Sequence, residues 1–154
     1  MPRAPLQILV VPFRRVGEQI AFAVLRREDM DVWQAVTGGG EAGETPQQAA
    51  ARETREELGL DRLALLYPLQ ATASIPARFF ADRDSWPAGT YVIPEHSFAT
   101  DLTDMEIKIS HEHTAVQWLD YHAAQEALGF DSNRTALGEL HERLLAADLP
   151  LPVE

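Results

Sequence analysis

The sequence contains no cysteine. That absence excludes disulfide scaffolds, thiol nucleophiles, thiolate zinc sites and iron–sulfur clusters together. Basic residues are scarce: 13 Lys and Arg stand against 24 Asp and Glu, a formal charge of -11. General affinity for nucleic acid comes mostly from cations that neutralise phosphates, so no nucleic-acid partner is expected. Long hydrophobic runs are missing too. The early apolar stretch, residues 8–11, is too short for a signal-peptide core or a membrane span. The expectation is a soluble, cytoplasmic protein with no membrane partner. No repeat, low-complexity tract or Ser/Gly-rich linker divides the 154 residues, and a chain of that length can bury its own core. Residues 1–154 are therefore read as a single domain.

Hydrophobic patterning places strands at residues 6–12 and 19–26, separated by a polar turn containing Gly17. A third short strand, residues 32–37, is expected to end at the triple glycine Gly38, Gly39 and Gly40. The helix signals that follow are unusually complete. Thr45 suits the N-cap, Pro46 the first helical position and Gln48 a capping box, while Gly59 sits where a left-handed C-cap belongs. This predicts a helix over Pro46–Leu58. Residues 63–67 and 69–74 read as extended around Pro68, and residues 90–93 and 97–100 around Pro94, with a long loop over 76–88. Residues 114–119 read as a last strand, and Asp120 caps a short helix through Leu128. Ser132 is expected to cap a final helix carrying Leu137, Leu140, Leu144 and Leu145 at helical spacing. The order of elements describes an α+β, or mixed α/β, domain.

On the predicted helix, Glu53, Glu56 and Glu57 fall three and four residues apart and so share a face. Like charges at that spacing cost roughly a few tenths of a kcal/mol per pair, and more when partly buried. A hard divalent cation, Mg²⁺ or Mn²⁺, would offset them and would also reconcile an acidic protein with a phosphate-bearing ligand. Salt bridges to Arg52 and Arg55 could quiet the same charges. The glycines before the helix favour a ligand, because they let it approach the backbone beside a helix N-terminus that attracts anions.

Gly38, Glu44 after five intervening residues, Arg52-Glu53 after seven more, then Glu56-Glu57 and Gly59-Leu60, together resemble the signature of the Nudix hydrolases. The departure is Thr54, where the family usually has an aliphatic residue; it shares with Ala50 and Leu58 the face expected to pack inward. The resemblance implies a Nudix-type α/β/α sandwich with a mixed β-sheet and a loop–helix–loop metal site. It also implies Mg²⁺-dependent attack of water on a diphosphate bond. By that likeness Glu53 and Glu57 would be the principal metal ligands, and Glu56 a further ligand or a water-orienting residue. Arg52 would hold the glutamates, Gly38 would support the loop, and Glu44 would tie loop to helix by hydrogen bonds. The glutamates are expected on an exposed helix face, so that Glu57→Gln would spare the fold.

Both ends of the chain also resemble a branch of that family that acts on dihydroneopterin triphosphate or dATP. The matching residues are Arg26, the run from Trp33 to Gly38, Glu112-His113, Trp118-Leu119-Asp120 and Ser132-Asn133-Arg134. By position, Arg3, Arg26 and Thr37, with Gly38 and Gly39, would contact substrate. Glu112 would join the metal or serve as the general base. The implied substrate is a small-molecule nucleotide or pterin triphosphate, cleaved to pyrophosphate and the monophosphate. The alternatives are hydrolysis of ADP-ribose or a dinucleoside polyphosphate, and a non-catalytic nucleotide-binding module. A homodimer is compatible with any of them. Residues 63–110 show no correspondence with the branch. Phe79, Phe80, Trp86 and Tyr91 in that region could stack on a purine or pterin or could line the core, and stacking alone would not separate two flat rings. His111 and His113 beside Glu112 raise a zinc reading, which the carboxylate-rich surroundings and lack of cysteine disfavour.

Overall fold

Strand β1 (Arg3–Val16) is apolar in both phases of its pleat. Leu9, Val11 and Phe13 pack into one core cluster and Ile8 and Val10 into another, each at most 2% exposed. Such a strand must be covered on both faces. In the computed structural model, which describes residues 2–111 and 113–153, β1 lies inside a mixed sheet of seven strands among the described residues. Strand order runs β3 (Trp33–Gln34), β2 (Gln19–Arg27), β1, β6 (Val92–Asp101), β5 (Leu66–Pro76). Strand β4 (Val36–Glu41) also pairs with β1, and β7 (His113–Leu119) with β2. The β1–β6 pairing is parallel and the other ladders are antiparallel. Helix α1 (Pro46–Leu58) covers the Ile8 and Val10 face, while α2 (Tyr121–Ala127) and α3 (Asp131–Leu145) cover the Leu9, Val11 and Phe13 face. The layers are those of an α/β/α sandwich.

Helix α1 keeps the bounds and caps read from its sequence. Thr45 and Gln48 form the reciprocal capping box, and Gly59 adopts φ 56°, its N–H donating to the Arg55 carbonyl. Thr54 is buried with Ala50 and Leu58 as its helical phase requires.

Four details differ from expectation. The triple glycine lies within β4, with Gly38 opposite Ile8 and Gly39 opposite Gln7. A Cβ on Gly38 would sit 2.3 Å from the Glu53 carboxyl carbon, and one on Gly39 2.4 Å from Arg3 Nε. These glycines therefore serve close approach of side chains across the strand rather than a turn. Pro68 and Pro94 lie inside strands instead of dividing them. Strand β5 is the sheet edge, and the β1 ladder on β6 begins only at Glu95, so at Pro94 one side of β6 needs no amide donor. Most of the expected loop over 76–88 is two 3₁₀ turns, Ala77–Phe79 and Ala81–Ser85, seated on a small nucleus of Ala77, Trp86 and Ile93. The last helix starts at Asp131 with Phe130 in the cap position and no side-chain cap, so Ser132 lies inside its first turn.

Candidate active site

The fold brings the end of β4 under α1 and leaves an open cleft of about 1160 Å³. The cleft reaches from Glu53, Glu56 and Glu57 past Gly38 and Gly39 to Ser132 and Asn133 at the start of α3. Arg52 organises the helix end. Its Nε and Nη2 donate to the two oxygens of Glu44 at 2.9 and 3.0 Å, and Nη2 also donates to the Gly39 carbonyl at 2.8 Å. Nη1 donates to Glu53 at 2.9 Å and to Glu56 at 3.3 Å. Glu44 in turn accepts the Glu41 amide at 2.7 Å, so loop and helix are tied through one carboxylate. The Arg52 bonds hold the Glu44 carboxyl below its usual range, and these acidic partners raise the guanidinium's own pKa.

Glu57 is not on an exposed face. It is 4% exposed, because residues 108–110 return along α1, with the Lys108 amide donating to the Leu58 carbonyl and the Ser110 amide to the Glu57 carbonyl. Its Oε2 accepts from Ser110 Oγ at 2.8 Å and lies 2.9 Å from His113 Nδ1. Burial also pushes the Glu53 carboxyl up to about 7; Arg52 pulls against that shift, while Glu56 and Glu57 add to it.

Among the described residues no three of these side chains are already drawn into ligating geometry around one point. Glu53 and Glu56 face Arg52, and Glu57 faces Ser110 and His113. The donor set nevertheless fits a hard divalent cation: carboxylate oxygens from one helical turn, those of Glu53 and Glu57 shielded from water and that of Glu56 exposed, with the space beside Gly38 reserved for the Glu53 carboxyl. Glu112 lies outside the described residues.

Arg3, Thr37, Gly38 and Gly39 line the same cleft as the glutamates. Arg26 does not. It forms an ion pair with Asp31, and the alternate phase of β2 sends Arg27 to the cleft instead, tied to Asp29 at 2.6 and 2.8 Å. Phe79 and Phe80 also line the cleft, whereas Trp86 is buried in the small nucleus and Tyr91 is exposed outside it.

Two site residues, Gln7 and Glu95, were missed in the sequence. They are register partners on β1 and β6, and Gln7 Nε2 donates to Glu95 Oε2 at 2.8 Å. Gln7 Oε1 accepts from Arg3 Nη2 at 2.7 Å, and the Arg3 guanidinium lies 4.5 Å from the Phe80 ring centroid. Burial lowers the Arg3 pKa. Both residues share the phase of buried positions on their strands, Gln7 with Leu9 and Val11 on β1, Glu95 with Ser97 and Ala99 on β6. A polar residue in a core phase was the available signal. Asn133 was assigned to the branch motif, and its Oδ1 accepts the Ala35 amide at 2.8 Å.

The glutamate helix, the glycine strand beneath it and the cleft they share agree with a match of residues 4–140 to the NUDIX domain, and the chain belongs to the Nudix hydrolase family. It is an enzyme of the pyrophosphohydrolase kind. Among named relatives, it is 34% identical over 137 residues to the dihydroneopterin triphosphate diphosphatase of Escherichia coli K12, an alignment covering 88% of this chain and 91% of that protein. A solved structure of the E. coli dihydroneopterin triphosphate pyrophosphohydrolase superposes with a TM-score of 0.69 at 35% identity, over 88% of this chain and 93% of that one. A crystal structure of a Nudix hydrolase from Listeria monocytogenes gives a TM-score of 0.87 at 43% identity, over 96% and 99% of the two chains. No helix among the described residues is long and apolar enough to cross a membrane.

Proposed function

We propose that the protein hydrolyses a diphosphate bond in a nucleoside or pterin triphosphate, either dihydroneopterin triphosphate or a dATP-like nucleotide, releasing pyrophosphate and the monophosphate. The observation that carries this reading is a single cleft with Glu53, Glu56 and Glu57 at one end and Arg3, Thr37, Gly39 and Phe80 along its continuation. A phosphate chain and a ring can lie along it together. The name of the E. coli relative supports the choice of substrate.

Glu53 and Glu57 would hold Mg²⁺ or Mn²⁺, with Glu56 as a further ligand or a water-orienting residue, and Glu112 as a further ligand or the base that takes the proton of the attacking water. When bound, the cation supplies charge neutralisation on the phosphoryl oxygens and a lowered pKa for bound water. The chain's own part is positional. Arg52 orients Glu53 and Glu56, and Gly38 leaves room for the Glu53 carboxyl. Arg3, already half stripped of water, is set to meet a substrate oxygen or ring. In the reaction the water oxygen bonds to phosphorus, the bridging P–O bond breaks, and pyrophosphate leaves with the electron pair of that bond.

Other relatives of the chain are named for RNA and for bis(5'-nucleosyl) tetraphosphate. The deciding assay offers dihydroneopterin triphosphate, dATP, other nucleoside triphosphates, ADP-ribose and a dinucleoside tetraphosphate with Mg²⁺, and detects pyrophosphate and orthophosphate separately. Pyrophosphate released fastest from the pterin or a nucleoside triphosphate is the expected result. Preference for ADP-ribose or the dinucleotide would replace the substrate assignment, and silence on every compound would indicate a binding module.

A further inference from the structure

The hydrogen-bonded chain Arg3–Gln7–Glu95 ends in open valences at both ends. Gln7 sits between Gly39 on β4 and Glu95 on β6 in the same register row, so the three residues form one strip of the cleft floor. Gln7 bridges the other two: its amide nitrogen donates to Glu95 Oε2, and its carbonyl oxygen accepts from Arg3 Nη2. Glu95 is 2% exposed, yet its Oε1 accepts no hydrogen bond from the described residues, and Arg3 Nε, also buried, finds no acceptor. A buried polar atom left without a partner is costly, typically about 1–3 kcal/mol, and because Arg3 and Glu95 both line the cleft, a group that enters it can satisfy both.

A carboxylate oxygen only accepts. It is best met by a ring edge carrying two adjacent donors, an N–H beside an amino group. The 2-amino-4-oxopyrimidine edge shared by pterins and guanine has that pair, with an oxo acceptor on the far side that suits a donor such as Arg3 Nε. On adenine the amino group is flanked by ring nitrogens that are acceptors, so a lone pair would face the Glu95 oxygen. We propose that Glu95 is a specificity-determining residue that selects rings with the 2-amino-4-oxo edge, pterin or guanine, over adenine. This deepens the triphosphate reading above and rests on it for the orientation of the ligand. It also supplies the discrimination that stacking on Phe80 cannot, since any flat ring stacks.

Two measurements test it. The first uses wild-type protein and needs no turnover: calorimetric binding of dGMP, dIMP and dAMP in the presence of Mg²⁺. dIMP differs from dGMP only by the missing 2-amino group. Binding of dGMP about tenfold or more tighter than of both others is expected, because a site built around a donor pair rejects the analogue lacking it. Equal affinities, or no binding of dGMP, would overturn the proposal. The second is the ratio of kcat/KM for dGTP and dihydroneopterin triphosphate to that for dATP, in wild type and Glu95→Gln. The glutamine can keep its carbonyl toward Gln7 and turn a donor into the cleft, so the ratio is expected to fall by about tenfold or more while thermal stability changes little. An unchanged ratio in a folded variant would overturn the proposal. Should no triphosphate be hydrolysed, the catalytic reading fails by itself, and the three monophosphate affinities still decide the role of Glu95.

Discussion

At the helix end of the cleft the described carboxylates are engaged by the protein itself. Arg52 holds Glu44, Glu53 and Glu56, and Ser110 and His113 approach Glu57. At the strand end, the Arg3–Gln7–Glu95 chain stops at two buried atoms, Arg3 Nε and Glu95 Oε1, that find no partner among the described residues. The first region is held by partners within the chain and carries, among the described residues, nothing that would tell one phosphate chain from another. The second is where the proposed ring selection would act. On this reading chemistry and selectivity fall to different secondary structure, a helix with its glycine strand on one side and the β1–β6 pair of the sheet on the other.

Substitutions at the helix end should accordingly act on turnover for every substrate, and those at the strand end on the choice among substrates. The largest effect is expected for Glu57→Gln, which should lower kcat about a hundred- to thousandfold on all triphosphates, as removal of a key electrostatic group commonly does. Steady-state pyrophosphate release checks this. The folded state should persist, because the amide carbonyl can still accept from Ser110, and a thermal melt close to that of wild type is the control.

Gly38→Ala comes next. Its methyl group must displace the Glu53 carboxyl, only 2.3 Å away, and kcat is expected to fall about tenfold to a hundredfold by loss of positioning. Gly17→Ala provides the contrast. Its Cβ meets nothing within 4 Å, but the residue has φ +62°, so the change should cost about 1–2 kcal/mol of stability and leave turnover alone. Equal activity loss in the two variants would remove the case for Gly38 as a spacer.

Acidity gives a smaller, graded effect. With the Glu53 carboxyl near 7, a cation must displace its proton at lower pH, so Mg²⁺ affinity should weaken by up to about tenfold per unit below pH 7 and level off above it. The sign for stability is the reverse. A carboxyl raised from its ordinary 4.5 contributes stability to the cation-free protein below that value, and the contribution is lost as pH rises toward 7. Mg²⁺ titrations and melts at pH 6, 7 and 8 read both, and Glu53→Gln should flatten the two profiles. The mildest change is Trp86→Phe. It deletes the 2.7 Å bond from the indole to the Arg3 carbonyl, which should raise KM a few-fold with kcat unchanged, a shift of about 1 kcal/mol.

The helix end was legible in the sequence because its signals are local. Thr45, Gln48 and Gly59 fix the limits of α1, and helical spacing alone puts Glu53, Glu56 and Glu57 together. What escaped was set by partners distant in the chain. The expectation of an exposed Glu57 failed because residues 108–110 fold back on the helix, a contact with no local mark. The triple glycine was expected to end a strand rather than to continue one, because its crowding by Glu53 and Arg3 exists only in three dimensions. Arg26 and Arg27 are adjacent, and which of them faces the cleft depends on strand phase at the end of β2. Gln7 and Glu95 lie 88 positions apart and become a pair only through the parallel β1–β6 ladder.

Everything proposed for the cleft depends on metal-dependent release of pyrophosphate from a triphosphate by the glutamates of α1. The most direct test follows dihydroneopterin triphosphate with protein freed of divalent ions by chelation, then with Mg²⁺ restored. Negligible turnover is expected without the ion and, on its return, one pyrophosphate for each monophosphate formed, with no orthophosphate. Turnover that survives chelation, or release of orthophosphate as the first product, would contradict it.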